Sequence, residues 1–208
     1  MSALSPNVRD SVSDPRHPFG LPLGSVRGFL SLLIVGFFWI VLLWPDHQPS
    51  KPLLGHFFMM ALVLLTFSPY SKAGARPEDG PQFLPLFLRW FTVLGTIAVI
   101  SFVSVRFPER MNRLTPDPLE FQQWWGTFLA TTAGGFAFGK GIRHLLGATH
   151  PLFTTLRSWL SVVGMLMLVL EMIFFVAVTS TDASAYDFGH YWQAFELAIV
   201  AAYFGTRA

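Results

Sequence analysis

Six apolar stretches in this chain fall into three pairs, and each pair carries the same charge signature. An arginine stands near the start of the first stretch of every pair: Arg27 in PLGSVRGFLSLL, Arg89 in LPLFLRWFTVLG, Arg157 in LFTTLRSWLSVVG. A short aromatic–small–basic phrase closes the second: TFSPYSK (66–72), FAFGKGI (136–142) and AYFGTRA (202–208). Stretches of this length and apolarity suit lipid rather than a soluble core. The pattern predicts an all-α integral membrane protein with six transmembrane helices arranged as three helical hairpins. The hairpins form an internal repeat whose copies are related by an axis along the membrane normal.

Composition agrees. The chain is 52% hydrophobic and 12% charged, against about a quarter charged in soluble domains; its mean hydropathy is +0.50. There is no cysteine, which excludes disulfides, thiolate metal sites and cysteine nucleophiles. The sequence pI near 9.2 reflects loop Arg and Lys, with no basic cluster interleaved with aromatics. The expected partners are therefore the lipid bilayer and other membrane protein subunits, and no nucleic acid.

Residues 1–25 read as a polar cytoplasmic tail, and 26–208 as a single six-helix membrane domain with hairpins 26–70, 83–138 and 152–204. The tail is too polar and too long for a secretory leader, so the first helix is expected to be uncleaved. The spans fall at 26–44, 53–70, 83–105, 121–138, 152–179 and 189–204. Ser25 is an expected N-cap of the first. The fourth and sixth spans are short, and a four-span alternative lays both as re-entrant or interfacial segments. Ten Lys and Arg fall on one side of this arrangement and four on the other. That bias predicts a multi-pass protein of the cell inner (plasma) membrane with both termini cytoplasmic. Arg27, Arg89 and Arg157 then serve as topology anchors that snorkel to cytoplasmic headgroups, a substrate-binding arginine ring being the alternative. Trp44, Trp124, Trp125, Tyr191 and Trp192 form an outer aromatic belt; Tyr70, Trp90, Trp159 and Tyr203 form an inner one. The loop at 106–123, with its arginines and prolines, is an expected protein contact on the non-cytoplasmic face.

Three constellations stand out. Gly126, Ala130 and Gly134 recur at spacing four, as do Gly135 and Gly139. Small residues at that spacing let backbones approach, so the fourth span is expected to be a central packing helix. Second, Glu171 and Glu196 lie inside the fifth and sixth spans at matched depth. Buried carboxylates face a bundle interior, and two that adjoin would share a proton. They form the candidate proton or cation site, with a purely structural lock as the simpler reading. Third, His56 and His190 sit near the outer ends of spans, with His47 in the first outer loop. The two span histidines are candidate ligands for a haem iron or a chlorophyll magnesium, with an interfacial role as the simpler reading. The identity of any cofactor is left open. No HExxH, GxSxG or P-loop occurs, so no catalytic residue and no metal site is expected. The leading expectation is a non-enzymatic structural or accessory subunit of a larger inner-membrane complex. A small transporter or channel using the Glu171/Glu196 pair is the alternative. A haem- or chlorophyll-binding subunit of an electron-transfer or photosynthetic complex comes third.

Overall fold

A computed structural model of the chain describes residues 25–44, 54–67, 83–147, 150–178 and 184–207. The N-terminal tail, His47, Lys51, Tyr70, Thr179 and the linker 72–82 lie outside the described residues. Those described are all helical: α1 (Ser25–Leu43), α2 (Leu54–Phe67), α3 (Phe83–Arg106), a 3-10 helix (Pro108–Leu114), α4 (Pro118–Leu146), α5 (Pro151–Val178) and α6 (Ser184–Gly205). Three stretches are long and apolar enough to cross a membrane: Ser25–Leu43, Phe83–Arg106 and Pro151–Phe175. α2 has 14 residues, which at a rise of 1.5 Å per residue is about 21 Å.

Local chemistry explains the helix ends. The Asp117 side chain accepts the Leu119 N–H at 2.9 Å, and Pro118 occupies the first helical position. α4 therefore starts three residues before the expected span. It also runs on past Phe138 as a polar tail carrying Lys140, Arg143 and His144. Gly147, at φ 81°, closes it with its N–H on the Arg143 carbonyl. Ser25 lies within the first turn of α1, and its buried Oγ has no partner, so it is not the N-cap expected. At the other end of α1, Arg113 donates to the carbonyls of Val41 and Trp44 at 2.9 Å each, and Arg110 donates to that of Leu43. Three carbonyls of a helix C-terminus are satisfied by arginines from the 3-10 helix. The loop expected to meet another protein is thus partly helical and partly occupied by α1.

Neighbours in register give the helix directions. Gly28 meets Leu88 and Trp39 meets Gly95, so α1 and α3 run parallel. Phe58 meets Phe128, and Gly135 meets Ala198 and Ala201, so α2, α4 and α6 also run parallel. α6 is the middle of the bundle, touching α2, α4 and α5. Every residue from Val200 to Thr206 is buried. α4, expected to be central, is peripheral: among its residues only Glu120, Phe128 and Gly139 are buried. Consecutive helices α3 and α4 barely touch; α3 lies on α1, and α4 on α6. Of α3 only Leu88, Thr92 and Val103 are buried, leaving most of its apolar surface outward.

The contact between α4 and α6 explains which small residues matter. A Cβ on Gly139 would stand 2.0 Å from the Ala202 carbonyl oxygen, and one on Gly135 2.6 Å from that of Ala198. On the other helix, a Cβ on Gly205 would stand 2.2 Å from the Phe136 oxygen. Only glycine permits backbones this close. Gly126 and Gly134 meet nothing within 4 Å, and Ala130 is exposed. These three were expected to pack and instead face outward, because the contact stripe follows positions 128, 135 and 139.

Candidate functional site

Buried polar side chains collect where α2 begins, between α4, α5 and α6. Helix N-termini carry N–H groups that intrahelical bonds leave free. Leu54 donates to Glu120 Oε1 at 2.6 Å, and Gly55 to Gln193 Oε1 at 3.2 Å. Two neighbouring helices thus cap a third, and the positive helix end favours the Glu120 carboxylate. The same Glu120 Oε1 lies 3.0 Å from His190 Nε2, and both side chains are at least nine-tenths buried.

Gln193 brings a second group beside this pair. Its Nε2 donates to Glu171 Oε1 at 2.5 Å and lies 3.2 Å from His56 Nδ1. His56 Nδ1 is itself 3.4 Å from Glu171 Oε1. Glu196, one turn along α6 from Gln193, is fully buried and turned to Glu171, within electrostatic reach but without a strict hydrogen bond. Glu120 and Gln193 cap adjacent N–H groups of α2, so the Glu120–His190 pair and the Gln193–His56–Glu171 group lie side by side there, and with Glu196 they make a string of buried polar side chains. Five of its atoms have no strict hydrogen-bond partner among the described residues: Glu120 Oε2, Glu171 Oε2, both Glu196 oxygens and His56 Nε2. Burying such groups unpaired costs about 1–3 kcal/mol each, so the string calls for protons or water to satisfy it. Among the described residues no group of three or more His, Asp or Glu is placed to hold a metal ion.

Aromatic rings wall the string. His56 stacks on Phe37 with centroids 3.8 Å apart, and Phe38 meets its edge. His190 stacks on Trp124 at 4.8 Å. Trp124, expected in the outer belt, is thus turned inward, while Trp125 and Tyr191 are exposed.

The structure brings together Glu171, Glu196, His56 and His190, which the sequence presented as two unrelated pairs. Glu120 and Gln193 were missed. A fourth span beginning at 121 leaves Glu120 in the loop, whereas α4 begins at Pro118 and carries it in its first turn. The signal for Gln193 was present: His190, Gln193 and Glu196 recur every three residues on an otherwise apolar helix, which sets them along one face.

The recurring arginines lie at the opposite end, where α1, α3 and α5 begin and α4 and α6 finish. Arg27 and Arg157 are each about half-buried and within electrostatic reach of Arg207 and Tyr203. Arg89 is near Arg27, and Arg143 is near Arg157. Tyr203, expected as a belt residue, is 1% exposed. Comparison with known protein families, with curated proteins and with solved structures finds no match.

Proposed function

We propose that this chain is a non-enzymatic multi-pass protein of the inner membrane that takes up and relays protons through the string Glu120, His190, Gln193, His56, Glu171 and Glu196. One observation carries the reading: three carboxylates and two histidines are buried near the start of α2, with five of their atoms lacking a strict hydrogen-bond partner among the described residues. Ionisable groups at membrane depth are expensive and mark proton or ion paths. Histidine and carboxylate groups exchange protons readily, and glutamine joins them while carrying no charge itself.

In this reading the chain crosses six times with both termini cytoplasmic. Odd-numbered helices begin, and even-numbered helices finish, at the end that gathers Arg27, Arg157 and Arg207, which supports that path. Reporter fusions at residues 48, 78, 115, 147, 184 and 208 should alternate outside and inside. If 115 and 147 report the same side, the fourth crossing is lost.

The functional test is flux. Purified protein in liposomes with a trapped pH dye should pass protons under a potassium diffusion potential. Glu171→Gln and Glu196→Gln should each stop that flux with little change in melting temperature. Wild-type flux no greater than empty liposomes, or flux that survives both substitutions, would discard the relay.

A second reading, an accessory subunit of a larger complex, is favoured by the outward apolar surface of α3. There Phe83, Phe87 and Phe91 stack in a ladder with centroids 5.9 Å apart. Stoichiometric partners retained in mild detergent, and lost on Phe87→Ser with Phe91→Ser, would support it.

A further inference from the structure

We propose that the arginine end of the bundle binds a phosphate group, with Arg27, Arg157 and Arg207 as its cations and the Tyr203 hydroxyl as a neutral donor. This stands independently of the proton relay.

Three helices bring these groups together. Arg27 comes from the first turn of α1, Arg157 from the second turn of α5, and Arg207 from just past α6. The Arg207 guanidinium carbon is 5.9 Å from the Tyr203 ring centre, and Arg27 and Arg157 are both within electrostatic reach of these two residues. Like charges crowded at half-buried positions repel, and water screens them only in part. Something negative must offset them.

The described part of the chain does not provide it. Its described acidic side chains are Glu109, Asp117, Glu120, Glu171 and Glu196. Glu109, Asp117 and Glu120 lie at the other end of the bundle. Glu196 is 11 residues from Arg207, about 16 Å along the helix. Glu171 is 14 residues from Arg157, about 21 Å.

Unused donors add an independent mark. The Tyr203 hydroxyl and the Arg207 Nε are buried with no hydrogen-bond partner among the described residues, and Tyr203 is 1% exposed. Ser25 Oγ, at the start of α1 on the same end, is likewise buried and unpartnered. Arginine forks, a phenol and a serine hydroxyl are the donor set a tetrahedral oxyanion uses. Basic pockets between helix ends at headgroup level suit a phospholipid phosphate. A free phosphate presents the same oxygens, so the shared chemistry is the phosphate group, and the source is separated by experiment.

The test uses the full chain. It is placed in nanodiscs of phosphatidylcholine with or without phosphatidylglycerol, and separately in detergent with sodium phosphate against sodium chloride of equal ionic strength. Melting temperature and native mass spectrometry are read. The expected result is a rise of melting temperature with phosphatidylglycerol and a retained lipid in the mass spectrum. Arg27→Gln with Arg157→Gln should weaken binding by about tenfold or more, and Tyr203→Phe, which keeps the ring, by about threefold. If phosphate alone raises the melting temperature as much as phosphatidylglycerol does, the site holds and its ligand is a free anion. No response to either, or a response unchanged in both variants, overturns the proposal. It is also overturned if amides at Asp10, Asp14, Glu78 and Asp79 create a response that the wild type lacks, for then the chain's own carboxylates fill the site.

Discussion

Near Glu120 the contact between α4 and α6 is made by side chains; near Gly139 it is made by backbone. At the first place Glu120 meets His190 at hydrogen-bond distance and Trp124 stacks on the same imidazole. At the second, Gly135, Gly139 and Gly205 lie against carbonyl groups of the facing helix. Side-chain contacts can rearrange: a carboxylate accepts a proton, an amide rotates, an imidazole changes tautomer. A backbone contact has no such freedom, because two rigid cylinders either fit or do not. One pair of helices thus holds a clamp and an adjustable junction along a single line, and the clamp keeps the junction in register.

Breaking the clamp should have the largest effect. Gly139→Leu or Gly205→Leu should cost more than about 3 kcal/mol in an SDS unfolding titration, because the new side chain meets carbonyl groups that cannot move aside. Gly134→Leu is the control. It faces open space, and its effect should stay within about 0.5 kcal/mol. Equal damage from all three would erase the distinction between the two faces of α4.

Gln193→Leu comes next, at about 2–3 kcal/mol, since it leaves the Gly55 N–H and Glu171 without a shared partner. A loss no greater than that of a surface substitution would show that Gln193 does not join the start of α2 to Glu171. Glu171→Ala or Glu196→Ala should cost about 1–3 kcal/mol, while Gln at either position keeps shape and stability. If Gln destabilises as much as Ala, charge rather than shape holds the junction. Arg113→Ala should have the smallest effect, about 1 kcal/mol, from uncapping α1.

The unequal legibility of this chain has physical causes. Long apolar runs announce helices directly, since lipid demands length and apolarity together. Hence α1, α3 and α5 were readable, as was the inward turn of Glu171 and Glu196, for carboxylates avoid lipid. Helix partners are not readable, because the small residues of α4 occur on two faces. Gly134 and Gly135 are adjacent in sequence, yet one faces outward and the other a carbonyl. Only the rotation of α4 about its own axis separates them, and a phase of that kind is set by the partner. Glu120 was hidden for a related reason. Its role is to meet the start of α2, 66 residues earlier in the chain, and no local pattern records that meeting.

The arginines that cap α1 carry a consequence for assembly. Arg113 reaches back 72 residues to the Val41 carbonyl and 69 to that of Trp44. While the polypeptide is being synthesised, α1 enters the bilayer long before the residues that complete its final turn exist. Until the segment around Arg113 emerges, those carbonyls must be met by water, headgroups or the insertion machinery. α1 therefore acquires its finished form only after α3 has been delivered. A ribosome stalled between the two would hold a first helix with a frayed end, accessible to proteases that cannot reach it in the mature protein.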